Sequence, residues 1–178
     1  MDNSLATPGN NMVFIALFDP KSPTNVGSVM RAAGCYQVDA VRYCGDRFDR
    51  AMRYQTDTKG MLGRIPLEGT DDLLGGLPHG MKTVCVELAE GATPLPEFVH
   101  PEQAIYLFGP EDGSIPQALI DRADHVVYVP TVTCMNLAAS VNVLLYDRLA
   151  KSPSYRHGDD VIRSSRDTNN RLKVRSPS

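Results

Sequence analysis

The chain has 178 residues, 42% hydrophobic and 22% charged, which fits one soluble globular domain with a full core. No apolar run approaches the ~20 residues that cross a bilayer, and the opening MDNSLATPGNN lacks the basic and apolar segments of a secretory leader. The net charge of −3 alone argues mildly against a polyanion partner, but its distribution argues the other way. From Lys151 onward, seven cationic side chains (Lys151, Arg156, Arg163, Arg166, Arg171, Lys173, Arg175) face only Asp159, Asp160 and Asp167. A second basic region runs through Arg31, Arg42, Arg47, Arg50, Arg53, Lys59 and Arg64, diluted by Asp39, Asp46, Asp49 and Asp57. Two basic regions on an acidic body suit a polyanion, with solvated surface charge as the alternative.

MVFIALF (12–18) predicts a buried strand that stops at Asp19-Pro20. SPTNVGSVMRAAG (22–34) predicts a capped helix. Val26, Val29, Met30 and Ala33 share a face, and Gly34 is its expected stop. DAVRYC (39–44) is a second strand, and the polar stretch 45–66 reads as a long loop or a short helix plus loop. TDDLLGGL (70–77) predicts a short capped helix, KTVCVEL (82–88) a third strand and AIYLF (104–108) a fourth. IPQALIDRA (115–123) predicts a helix with proline near its start, and HVVYVP (125–130) a fifth strand. MNLAASVNVLLYDRLAK (135–151) is the longest predicted helix and carries apolar residues on more than one face, as if covered on two sides. The alternation predicts an α/β fold with a mainly parallel sheet flanked by helices. The expected organisation is a flexible start over 1–11, one domain over 12–151, and a basic, disordered or loosely docked tail over 152–178.

Several chemistries are missing from the sequence. No GxGxxG follows a strand, and there is no GxxxxGK[ST], HExxH, EF-hand loop or GxSxG. The missing glycine fingerprint weighs against a nicotinamide-dependent oxidoreductase. The histidines His79, His100, His125 and His157 form no paired ligand spacing, so no metal site is expected. Cys35, Cys44, Cys85 and Cys134 never form CxxC. With no export signal, they read as reduced thiols of a cytoplasmic protein.

Three strand ends carry unusual polar groups, and in parallel sheets ligands bind beyond strand carboxyl ends. They are DPKSPTNVGSVMR with Asn25 and Arg31, GPEDGS with Glu111, and PTVTCMNLA with Cys134 and Asn136. Each alone also reads blandly: glycines making a turn, asparagines capping helices, an arginine paired at the surface.

Taken together, they resemble the SpoU, or TrmH, family of RNA ribose 2′-O-methyltransferases in the SPOUT superfamily. NVGSVMR matches the family's asparagine and arginine six residues apart. LFGPEDGS matches its strand running into G-[PS]-E-x-x-G, and YVPTVTCMNLAASVNVLLYDRL its strand, short loop and S-[LM]-N at the head of a long helix. The resemblance covers residues 12–151 and is to the minimal, catalytic-domain-only members. Cys134 stands where the family has serine, and a thiol is a much weaker hydrogen-bond partner.

The resemblance implies a deep C-terminal trefoil knot formed by 84–91, 108–116 and 129–137, and a homodimer with active sites built across its interface. It implies S-adenosylmethionine held largely by main chain near Glu87, Leu88, Gly109, Val129, Cys134 and Met135. Arg31 would be the catalytic residue, with Asn25 and Glu111 orienting it and Asn136 fixing the third loop. The family arginine is assigned to deprotonating the 2′-hydroxyl. A guanidinium with a pKa above ~12 is better suited to binding the adjacent phosphate and stabilising alkoxide charge. Arg47, Arg50, Arg53 and the tail arginines would contact RNA phosphates. The implied substrate is RNA, tRNA favoured over rRNA. The different-class alternative is a non-catalytic RNA-binding protein that keeps the fold.

Overall fold

The computed structural model describes residues 11–53 and 65–175, within which the apolar runs become strands of one sheet. Strand β1 (Val13–Phe18) is followed by helix α1 (Pro23–Cys35), β2 (Ala40–Cys44), α2 (Arg47–Met52) and β3 (Leu67–Gly69). Then come β4 (Lys82–Val86), β5 (Thr93–Pro94), a single 3-10 turn (Leu95–Glu97) and β6 (Ala104–Phe108). The chain continues through α3 (Gln117–Ile120), β7 (His125–Tyr128), α4 (Leu137–Lys151) and α5 (Asp159–Ser165). The strand order is β3-β2-β1-β6-β4-β7-β5, and every pairing is parallel.

The two faces of the sheet sort alternate residues of each strand. Ile15 and Leu17 of β1 and Tyr106 and Phe108 of β6 lie in one core with Val26 and Val29 of α1 and Val141 and Leu144 of α4. Ala16, Cys85, Ile105 and Leu107 face a second core with Leu73, Met81 and Ile115. All five residues of β6 are therefore buried, which explains its unbroken apolar sequence. Each fully buried aliphatic side chain here contributes about 1.5–3 kcal/mol.

The helices expected over 70–77 and 115–123 come out differently. Residues 70–77 form turns: Asp72 Oδ1 accepts the Leu74 amide at 3.1 Å, the Gly75 amide reaches the Asp72 carbonyl, and Gly76 sits at φ +61°. Two adjacent glycines and an aspartate that binds its own backbone favour the turn over the helix. The second helix is cut to four residues, since the chain must leave it and enter β7 at His125. Helix α1 runs past Gly34 to Cys35, and Gln37 at φ +56° takes the left-handed position after it. Edge strands β3 and β5, three and two residues long, were not expected. Such short edges leave little exposed ladder for another chain to extend.

The polar stretch 45–66 holds α2, while Asp57, Lys59 and Arg64 lie outside the described residues. The tail holds α5, none of whose residues is buried. Among the described residues no helix is long and apolar enough to cross a membrane.

Candidate functional site

Strand order brings the three polar loops together. β1 and β6 pair in parallel with Leu17 opposite Phe108, so the turn after Phe18 and the loop after Phe108 leave the sheet side by side. β4 lies on the other flank of β6 and β7 beyond it, so the loops after Val86 and Tyr128 complete a cluster at the strands' carboxyl ends.

A directional chain of hydrogen bonds links the loops. Glu111 accepts from the amides of Lys21 at 2.9 Å and Ser22 at 3.1 Å, and from Asn25 Nδ2 at 3.0 Å. Asn25 Oδ1 in turn accepts from Asn136 Nδ2 at 3.0 Å. Asn136 Oδ1 caps α4 by accepting the Ala138 and Ala139 amides. A carboxylate can only accept and backbone amides can only donate, so the two ends fix the orientation of both asparagine side chains. Burial by itself would raise the Glu111 carboxyl pKa. The bonds from Asn25 and the loop amides outweigh it and hold the pKa below the ordinary value. Glu111 is thus an ionised acceptor whose lone pairs are occupied, a poor general base and a good anchor.

The second flank is a cleft. Glu87, Leu88, Gly109, Val129, Cys134 and Met135 all line it, as does Glu111. Tyr128, Thr131 and Ser140, which the sequence did not single out, line it too. Glu87 closes one end, its Oε1 accepting the Leu88 amide and its Oε2 the Ile115 amide, both at 2.9 Å. That tie between the loops after β4 and β6 has no sequence signature, because its donors are main chain. Gly109 is needed for close approach: a Cβ there would meet the Ile115 nitrogen at 3.1 Å and Glu87 Oε2 at 3.3 Å. A cleft with apolar walls (Val86, Leu88, Phe108, Val129, Met135, Leu137) and a few polar groups fits a nucleoside-type cofactor.

The cations stand apart from this network. Asn25 and Arg31 both lie on α1. Six residues put Arg31 about 120° around the helix and about 9 Å along it from Asn25. Arg31 is exposed, and among the described residues it makes no hydrogen bond to Asn25 or Glu111. Within one chain Asn25 bonds Glu111 and Asn136, and Arg31 is not joined to them. Arg47 donates to Asp19 and Asp112, and Arg50 pairs with Asp46 at 2.6 Å. Arg53 is exposed just beyond α2.

Known structures share this architecture. AviRb, a SpoU methyltransferase from Streptomyces viridochromogenes solved with the cofactor AdoMet, superposes with a TM-score of 0.64 at 19% identity, covering 82% of this chain and 60% of that one. An AdoMet-bound rRNA methyltransferase from Sinorhizobium meliloti gives 0.67 at 21% identity, covering 84% and 60%. A structure described as giving insights into 2-OH methylation of C/U34 on tRNA gives 0.65 at 22% identity, covering 80% of this chain and 92% of that one. The chain thus spans about 60% of the length of the first two and nearly all of the third. Among curated proteins there is no sequence match. The model of the SpoU rRNA Methylase family matches residues 12–146, and the chain belongs to that family.

Proposed function

We propose that the protein is an S-adenosylmethionine-dependent methyltransferase that acts on a ribose 2′-hydroxyl of RNA, with tRNA favoured over rRNA. The observation that carries this reading is the Glu111–Asn25–Asn136 chain, which joins all three motif loops beside a cleft at the strands' carboxyl ends. The preference for tRNA is supported by the 92% coverage of the chain associated with C/U34 methylation, against 60% for AviRb and the S. meliloti protein.

The catalytic domain is residues 12–151, with 152–178 a basic tail. The knot would involve 84–91, 108–116 and 129–137, a reading supported by the Glu87–Ile115 tie between two of those segments. A homodimer is supported by α4: Val141, Leu144 and Leu145 are buried, while Val143, Tyr146 and Leu149 leave an apolar stripe exposed. A cytoplasmic setting is supported by four free thiols.

Glu87, Leu88, Gly109, Val129, Cys134 and Met135 would hold the cofactor. S-adenosylmethionine, when bound, supplies a methyl group on a sulfonium centre, chemistry that needs no metal ion. The chain's own part is positioning, which in well-aligned reactions lowers the barrier by about 7–11 kcal/mol. Glu111, Asn25 and Asn136 fix the three loops around the reacting atoms. Arg31 binds the phosphate beside the target ribose and stabilises charge as the hydroxyl loses its proton, a role a permanently charged guanidinium can perform. Its place on another face of α1 from Asn25 supports a site shared between two copies, each lending Arg31 to the other. Arg50, Arg53 and the tail supply sequence-independent phosphate contacts.

The test is methyl transfer from labelled S-adenosylmethionine to total RNA of a strain lacking the protein, followed by mapping of 2′-O-methyl positions. We expect label on one ribose of a tRNA. Tight RNA binding with no ribose methylation would leave a non-catalytic RNA-binding protein.

A further inference from the structure

The loop GPEDGS carries two adjacent carboxylates, and only Glu111 is absorbed by the polar chain to Asn136. Its neighbour Asp112 takes a long, exposed contact from Lys21 Nζ at 3.4 Å and faces Arg47, the first residue of α2, at much closer range. Arg47 Nη1 donates to both Asp112 oxygens, at 2.9 and 3.0 Å. Its Nη2 and Nε donate to the Asp19 carbonyl at 2.6 and 3.2 Å, and Nε lies 2.9 Å from Asp19 Oδ2. Every nitrogen of the fork is engaged, and its side chain is 26% exposed. A planar five-donor group meeting two acceptors in fixed directions transmits orientation in a way a point charge cannot.

The far anchor is itself fixed. Asp19 sits at φ +44°, left-handed backbone that a non-glycine residue takes only when its surroundings hold it there. Gly45, at φ +85°, lies against it, and a Cβ on Gly45 would come 2.3 Å from Asp19 Oδ1. The Asp19 amide also donates to the Cys44 carbonyl at 3.0 Å. One end of the fork thus holds the turn after β1 and the other holds the residue beside Glu111. Glu111 meanwhile binds the Lys21 and Ser22 amides of that same turn.

We infer that Arg47 is a positioning residue that clasps the loop 109–114 to the turn after β1 through Asp112 and Asp19, and so sets Glu111 on Asn25. This replaces the expectation that Arg47 contacts RNA phosphate and gives Asp112 a role in holding the loop. The kinetic part of the inference rests on the methyl-transfer reading proposed above, which it deepens. Exposed ion pairs add little to stability, so the effect should fall on the chemical step rather than on folding.

The test compares the full chain with Arg47→Ala, Asp112→Ala, the double variant and Arg47→Lys. Methyl transfer to bulk tRNA from a strain lacking the protein gives kcat and KM, and amide hydrogen exchange follows residues 111–115. A loop displaced by an ångström costs up to about 100-fold in rate, so we expect each alanine variant to lower kcat by about 10- to 100-fold. KM for RNA should stay within about threefold. The double variant should be no worse than Asp112→Ala, which already frees the loop from both Arg47 and Lys21. Arg47→Lys keeps the charge but loses the fork and should recover little. Exchange at 111–115 should rise in all four variants while β1 and β6 keep their protection.

A raised KM with kcat intact, a silent Asp112→Ala and rescue by lysine would together make Arg47 a phosphate contact and overturn the clasp. Unchanged exchange at 111–115 would overturn it whatever the kinetics. Raised exchange in a protein whose wild type methylates no RNA would support the clasp and sink the methyl-transfer reading.

Discussion

The two ends of strand β6 carry polar networks of opposite design. At its carboxyl end, half-exposed Glu111, Asn25 and Asn136 tie loops together beside a cleft, using backbone amides as partners. At the amino end, buried His100 and Tyr106 meet three residues of the last turns of α4. His100 bonds Tyr106 Oη at 2.7 Å and Asp147 Oδ2 at 2.8 Å. Arg148 donates to Tyr106 Oη and to the carbonyls of Pro101 and Glu102, and Lys151 to the carbonyls of Leu95 and Phe98. The amino-end set is closed on itself and satisfied by a neutral imidazole: Nε2–H donates to Asp147, and Tyr106 donates to Nδ1 while accepting from Arg148. It staples α4 to the sheet. The carboxyl-end set holds loops whose remaining surface faces a cleft. Burial sets the two apart: the amino-end set packs inside the fold and suits a stabilising role, while the carboxyl-end set ties loops that border the cleft and suits the proposed chemistry.

Removing one residue at each end should separate the two roles most sharply. Arg31→Ala, which removes the α1 cation proposed to serve the carboxyl-end site of a second copy, should abolish methyl transfer, by about 1,000-fold or more for loss of a charge that stabilises the transition state. Cofactor affinity, measured by calorimetry, should be largely kept. Equal loss of both would refute the role given to Arg31. Tyr106→Phe, at the amino end, should do the reverse. It leaves His100 Nδ1 and an Arg148 donor without their partner, a loss of about 1–3 kcal/mol in denaturant unfolding, while the activity per folded molecule is unchanged.

The next contrast is in pH. Burial lowers the His100 pKa below its ordinary 6.5, against a partial upward pull from Asp147. The unfolded chain then binds more protons than the folded one below about pH 6.5, so stability should fall as pH drops through that value. Asp124 adds a second, more acidic step. Its carboxylate accepts the Thr83 amide and hydroxyl and Lys82, and these bonds, the amide's first, pull its pKa from 3.8 to about 2. The stability it contributes is present above 3.8 and lost as pH falls toward 2. Unfolding midpoints measured from pH 8 to pH 2 should show the first loss vanish in His100→Gln and the second in Asp124→Asn. Persistence of the first loss in His100→Gln would remove His100 as its source.

How much of this could be read from sequence depended on whether the signal was local. Strands β1 and β6 were legible because burial on both faces leaves an unbroken apolar run, as in AIYLF, and β2, β4 and β7 from shorter apolar stretches. Strands β3 and β5 were not, since three and two residues at a sheet edge carry no periodicity. The 70–77 turn was misread because Leu73 is buried as a helix residue would be, while Gly75 and Gly76 decide the backbone. The three motif loops were visible, but their wiring was not. Asn25 and Asn136 are 111 positions apart and meet only because β6, β4 and β7 line up beyond β1. The anchoring role of Glu87 was hidden for a related reason: its partners are amides, which every residue has.

The smallest expected effect concerns the tail, which shares neither design. Its helix α5 buries nothing, and Arg163, Arg166, Arg171 and Lys173 line one shallow groove beside Asp167. Arg163 is already paired with Asp160, so fewer than the full set of charges is available to phosphate. Each phosphate neutralised steepens the salt dependence of RNA affinity by about 0.7–0.9 in the log–log slope. If Arg166, Arg171 and Lys173 contact RNA, truncation after Lys151 should reduce that slope by about 2–3. The loss of affinity should be greatest at low salt and fade as salt rises, with kcat at saturating RNA unchanged. An unchanged slope would take the tail out of the interface. A fall in kcat would place it with the carboxyl-end loops instead, as part of the machinery that positions the ribose.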